Sequence, residues 1–408
     1  MTGRVTPRLD AQDPHYNLPF HNMVVTTPRR DRDATTDNKV GEDAMTPNPL
    51  LGVVFHWLGG LASASFYVPY RGVRRWSWEI FWLTGGIFSW LLAPWLFAAL
   101  QTKDLLGVMA QIPPRTAGLC VLFGVLWGFG GLTYGLTMRY LGLSLGMAVV
   151  LGLCTVFGTL IPPLVQGDIA DKLLATTSGR IILLGLLVTL AGIVVVAWAG
   201  AKKDGDLSPE QKKAAVAEFD FRKGIAVAVF SGVMSACFAF GLSAGEPIKA
   251  LTAAAGTGPL WTGLPTLCLV MFGGLITNGL WCAWLILKNR SAGQWLGAVS
   301  PAETADKPEV AALKRSPLLV NYLLCAVAGT AWYFQFFFYT MGESQMGRFG
   351  FSSWTLHMAS IIIFGALWGF AFREWKDARP AVKAMVWTGV ALLVGATVII
   401  GYGNRLGS

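Results

Sequence analysis

Residues Trp127–Gly142 read WGFGGLTYGLTMRYLG, and residues Trp332–Gly347, 205 positions further on, read WYFQFFFYTMGESQMG. In register, Trp127 meets Trp332, Phe129 meets Phe334, Tyr134 meets Tyr339 and Gly142 meets Gly347. An apolar, aromatic-rich segment that recurs at such an offset implies a chain built twice. Other segments repeat in the same order. Gly60-Leu-Ala-Ser-Ala-Ser-Phe66 corresponds to Gly232-Val-Met-Ser-Ala-Cys-Phe238, and GLLVTLAGIVVVAWAG (185–200) resembles GVALLVGATVIIGYG (389–403).

The composition says what kind of chain is repeated. Of 408 residues, 54% are hydrophobic and 13% charged. Soluble domains carry about 25% charged residues. The apolar residues fall into ten runs: 49–70, 78–100, 116–138, 142–165, 180–200, 223–244, 260–287, 318–341, 351–372 and 381–402. Each is about 20 residues, enough to cross about 30 Å of hydrocarbon as a helix. The expected fold is therefore an all-α membrane protein of ten transmembrane helices.

The domain organisation follows. Residues 1–47 form a polar extension, with six Lys/Arg and seven Asp/Glu in 1–44; it has no apolar run, is expected to be disordered, and makes Met45 an alternative start. Residues 48–200 are the first five-helix repeat, 201–222 a cytoplasmic linker, 223–402 the second repeat and 403–408 a short tail. Because five is odd, the second repeat enters from the opposite face. The repeats are thus inverted, as in many secondary transporters.

Cations set the orientation. The loops between spans 1 and 2, 3 and 4, 5 and 6, 7 and 8, and 9 and 10, with the adjoining span ends, hold 19 Lys/Arg, whereas the alternate loops with the C-terminus hold 7. The first set is expected in the cytoplasm, leaving both termini periplasmic. The net charge of +9 is therefore a topological signal and implies no nucleic-acid partner. The six cysteines lie inside apolar runs without metal-ligand spacing, which argues against a disulfide framework or metal site. No phosphate loop or nucleophile elbow appears, so neither an enzyme nor an ATP-driven pump is expected, and no cofactor.

Polar groups inside spans are the candidate functional residues, because each is costly in lipid. His56 and His357 each lie six residues into a span that starts on the outer side, about 9 Å below the boundary. Either could titrate during a transport cycle or hydrogen-bond a neighbouring helix. Gln335 reaches a similar level, and Trp57 and Trp354 are near the histidines in sequence. Amide and ring face together suit a sugar. Trp332, Tyr134 and Asn278 could line the same cavity or only pack. Glu79 follows Ser77 at the start of the second span. It is either a first-turn acid behind a serine cap or a cytoplasmic-side proton carrier. Arg139 and Glu374 are candidates for a cytoplasmic gate or ion pair. Glu246 and Glu343, at outer helix ends, read as solvated acids.

Several blocks together resemble the L-rhamnose–proton symporter family of the drug/metabolite transporter superfamily. They are Phe55-His56-Trp57, Arg74-Arg75-Trp76-Ser77-Trp78-Glu79, Tyr134-Gly-Leu-Thr-Met-Arg-Tyr-Leu-Gly142, Gln335-Phe-Phe-Phe-Tyr339, Ser353-Trp-Thr-Leu-His-Met358 and Glu374-Trp375. They occur in order over about residues 48–402. The resemblance implies ten helices, a bacterial inner-membrane location and proton-coupled uptake of L-rhamnose or a related small neutral sugar. The shared positions carry over His56, Trp57, Glu79, Tyr134, Arg139, Gln335 and His357. The chain departs from enteric members at the outer mouth, where Glu246 replaces a Lys and Glu343 a His. The coupling ion is expected to be the proton, with sodium as the alternative. The rival readings are an exporter of the same superfamily and a non-transporting sugar sensor. Nothing in the sequence speaks to oligomeric state.

Overall fold

A computed structural model describes residues 47–141, 143–205, 220–298 and 316–407. All but Pro47 of the expected extension (1–47) and most of the expected linker (206–219) lie outside the described residues. Ten helices are long and apolar enough to cross a membrane. They are α1 Pro49–Tyr70, α2 Trp78–Gln101, α3 Pro114–Met138, α4 Val149–Gln166, α5 Thr177–Lys203, α6 Phe221–Ala254, α7 Pro259–Asn289, α8 Leu318–Ser344, α9 Gly347–Ala371 and α10 Pro380–Gly407. Each coincides with one of the ten apolar runs. The cause is local: hydrocarbon offers backbone N–H and C=O groups no partner, and a helix satisfies all of them within the segment.

The surface differs from that of a soluble protein. Large apolar side chains cover the outside, with Leu319 73% and Leu280 69% exposed, whereas His56, His357, Gln335, Asn278 and Asn321 are buried. This is the distribution that a lipid solvent favours. All six cysteines are buried and unpaired.

The neighbours of each helix follow a regular scheme. Helix α1 packs on α8 and α9, and α6 packs on α3 and α4. Helix α2 meets α8, and α7 meets α3; α5 meets α4, and α10 meets α9. Three pairs join helices of equal rank in the two halves: α2 with α7, α4 with α9, and α5 with α10.

Local irregularities shape the end of the bundle where α1 begins and α10 finishes. Helix α6 bends at Gly245, where Pro247 follows, and continues as the short stretch Glu246–Ala254. Helix α4 contains Pro162 and Pro163. Proline has no N–H to return to the residue four positions back, so the carbonyls of Gly158 and Thr159 lose their regular helical partner. Helix α9 opens with a tight turn over Gly347–Ser352.

Candidate functional site

Three helices bring the two histidines together. His56 of α1 and His357 of α9 have ring centroids 6.5 Å apart. The ring of Tyr339, from α8, stands edge-on to both at 5.4 Å. Ser360 Oγ lies 2.9 Å from the His56 carbonyl oxygen and 2.7 Å from that of His357, joining α1 to α9 at this level. Close approach depends on two glycines. A methyl group on Gly342 of α8 would stand 2.8 Å from His56 Cε1 and Nε2, and one on Gly59 of α1 would stand 2.8 Å from the Gln335 carbonyl oxygen. Neither position has room for even alanine.

Both imidazoles are completely buried, and none of their four ring nitrogens has a hydrogen-bond partner among the described residues. A neutral imidazole has one donor and one acceptor to satisfy. An unsatisfied buried polar atom costs about 1–3 kcal/mol. Two adjacent imidazoles in this condition stand out among the buried polar groups of the described residues.

Above them lies a cavity of about 450 Å³ at the end of the bundle where α1 begins and α10 finishes. Its walls come from α4 (Gly158, Pro162, Pro163, Gln166), α6 (Ser243, Glu246, Lys249) and α8 (Tyr339, Thr340, Glu343). Lys249 Nζ bridges Glu246 Oε1 at 2.7 Å and Glu343 Oε2 at 2.8 Å. Gln166 Nε2 donates to Ser243 Oγ across the cavity at 3.3 Å. Carboxylates, two ammonium groups, a guanidinium, an amide and hydroxyls offer acceptors and donors for a polyhydroxylated molecule, and Tyr339 and Phe351 offer ring faces.

The other sequence candidates divide. Trp354 joins the cluster: its ring lies 6.2 Å from His357, and its Nε1 donates to the Cys154 carbonyl, fixing α9 on α4. Gln335 is buried beside Gly59, and its amide donates to the Trp332 carbonyl. Trp332 lies one aromatic layer away, against Phe66 and Phe336. Trp57 is turned to Phe364, not to the histidine pair. Asn278 accepts from Trp82 Nε1 and donates to the Gly274 carbonyl, between α2 and α7. Tyr134 packs with Leu141, Val150 and Ala228 in a separate apolar cluster. The side chain of Arg139 lies outside the described residues. Glu374 pairs with Arg71 at 3.2 Å, both half exposed.

Two expectations change. The Ser77 hydroxyl does not cap α2: it has no partner, while the Ser77 N–H donates to Gln294 Oε1. Glu79 instead points inward, 4% exposed, and accepts from Asn289 Nδ2 at 3.0 Å and Ser291 Oγ at 2.9 Å. Packing against the loop after α7 displaces the local cap. Nor is Glu343 solvated. Its side chain is 16% exposed because the bend in α6 carries Lys249 over it. The sequence reading missed the Lys249 bridge and the place of Tyr339. Its one available signal was spacing: Gln335, Tyr339 and Glu343 recur every four residues and share a helix face.

Fold and site together define a multi-pass helical membrane protein with a polar cavity leading to buried titratable groups, the class of a secondary transporter. The profile of the L-rhamnose-proton symport protein (RhaT) family matches residues 45–405. The L-rhamnose-proton symporters of Salmonella gallinarum (strain 287/91 / NCTC 13346), Salmonella paratyphi B (strain ATCC BAA-1250 / SPB7) and Salmonella newport (strain SL254) are each 35% identical over 354 residues. These alignments cover 86% of this chain and 97% of each relative. The chain belongs to the L-rhamnose-proton symport protein family, a family of transporters and not of enzymes.

Proposed function

We propose that this chain carries L-rhamnose, or a closely related small neutral sugar, together with a proton into the cell across the bacterial inner membrane. The observation that carries the reading is the pair of buried, unpartnered imidazoles directly beneath a polar cavity. The cavity holds the sugar, and His56 and His357 hold the proton between them. Protonation must favour the loaded carrier, since coupling is a difference in affinity between states. Glu79 is the third proton candidate; its two fixed donors and its place at the opposite end of the bundle favour an anchoring role.

The halves act as inverted repeats. In support, exchanging the halves maps the α1 contacts with α8 and α9 onto those of α6 with α3 and α4. The cavity then faces the periplasm with both termini, and the cation-rich loops face the cytoplasm. Release follows when the bundle rocks and the higher cytoplasmic pH removes the proton.

The test is external pH in an unbuffered suspension of de-energised cells expressing the chain. Alkalinisation on adding L-rhamnose supports the reading as stated. Alkalinisation with a different neutral sugar keeps the mechanism and changes the substrate. Influx of labelled sugar with no pH change points to sodium coupling or facilitated diffusion. No influx of any sugar favours the exporter or the sensor.

A further inference from the structure

Among the described residues, Tyr339 has a position that no other shares. It lines the cavity, and its ring contacts both buried imidazoles. The remaining approaches to the histidines are filled by helix packing. Helix α1 is pressed to α8 at Gly59 and Gly342, and Ser360 ties α1 to α9. Toward α4, Trp354 reaches across to the Cys154 carbonyl, and Thr159 Oγ1 meets Thr355 Oγ1 at 2.8 Å. Toward α3 and α6, Phe336 stands beside His357 and stacks on Phe238 at 3.8 Å. Water in the cavity therefore meets the Tyr339 ring before it meets either imidazole.

We propose that Tyr339 is the partition between the sugar cavity and the proton site. The proposal rests on the reading of His56 and His357 as that site. With the ring in place the imidazoles stay dry. When the ring turns, one face of the histidine pair opens to the cavity and a proton can cross. The charged groups on the cavity side are Glu343, one helical turn from Tyr339, Lys249 and Glu246 from α6, Lys172 after α4 and Arg348 at the start of α9; on the far side of the ring stand the two histidines. A ring that turns only as sugar fills the cavity makes proton transfer conditional on sugar. Tyr339 is thus a positioning residue for coupling, acting through its ring.

The test uses chemistry that needs no sugar. The chain has four histidines, at 15, 21, 56 and 357, so carbethoxylation by diethyl pyrocarbonate can be followed residue by residue by peptide mass spectrometry. In the purified full chain, Y339A should raise the labelling rates of His56 and His357 at least tenfold, and Y339F should leave them within threefold. In proteoliposomes with an imposed pH gradient, Y339A should pass protons without sugar, and Y339F should not. Y339L replaces Y339A should the latter not remain monodisperse. Unchanged labelling in both the Ala and Leu variants overturns the proposal. So does Y339F labelling as fast as Y339A, because the barrier would then be the hydroxyl and not the ring. Loss of sugar-driven alkalinisation in the parent, with the labelling pattern as expected, would instead overturn the functional reading and leave the partition standing.

Discussion

Tyr339 and Tyr134 occupy matched positions in the repeated stretch, yet their surroundings differ in kind. Tyr339, on α8, meets His56 of α1 and His357 of α9. Tyr134, on α3, sits with Ala228 of α6 and Val150 of α4, where Val149 and Ile225 complete an apolar cluster. The register that matches Gly60 with Gly232 also matches His56 with Ala228. Of the two matched stretches, one stands against buried histidines and the other against aliphatic side chains. A cavity opens above the histidine copy, while the tyrosine of the other is packed among aliphatic side chains. On the proposed reading the two halves share one helical plan, and the proton chemistry lies at one of the two matched stretches. A carrier with proton-binding groups at one level has one place where its driving ion is taken up.

The largest effect that could break this contrast is loss of the histidines. H357A and H56A should each reduce sugar accumulation at least tenfold while leaving sugar exchange measurable; full sugar-driven proton uptake in either variant would remove that histidine from the mechanism. The converse substitution sharpens the contrast. A228H buries an imidazole with no partner in the Tyr134 cluster, and a loss of about 1–3 kcal/mol is expected, read as a lowered unfolding temperature in detergent. A second coupled proton in A228H would mean that the apolar copy can serve equally well.

Glycine packing should matter more on the histidine side than charge does at the opposite end. G342A forces a methyl group against the His56 ring, for an expected cost of about 1–3 kcal/mol by overpacking. A lowered unfolding midpoint should accompany slower uptake. E79Q keeps an acceptor for Asn289 and Ser291 and should leave sugar-driven proton uptake within threefold. Abolished coupling in E79Q would return the proton role to Glu79. The smallest effect belongs to the exposed Arg71–Glu374 pair. E374Q should change stability by no more than about 1 kcal/mol, since exposed pairs are weak and salt-screened.

Much of the fold was legible without coordinates. All ten spans were readable, because in lipid each segment must satisfy its own backbone and cover itself with apolar side chains. The buried histidines stood out for the same reason: an imidazole inside an apolar run is anomalous wherever the run sits. The partners of these residues were not legible. His56 and His357 are 301 positions apart, Glu343 and Lys249 are 94 apart, and Glu79 and Ser291 are 212 apart. Ser77 does stand at the N-cap of α2 with Glu79 in the first turn, but its hydroxyl makes no capping bond, and the partners of Glu79 come from the loop after α7. Trp57 adjoins His56 in sequence yet turns to Phe364, since neighbours on a helix point about 100° apart.

By itself, then, the sequence determined the number of helices, their approximate ends and the few costly polar groups inside the spans. Those follow from the hydrogen-bonding demand of the backbone in hydrocarbon, which acts within each segment. The tertiary structure alone decided that both histidines are buried side by side, that Tyr339 touches both and also lines the cavity, and that Lys249 pairs with Glu343. Such facts depend on how each helix is rotated about its own axis. A helix apolar on every face carries little record of that rotation, and only the packing of small residues such as Gly59 and Gly342 against particular neighbours sets it.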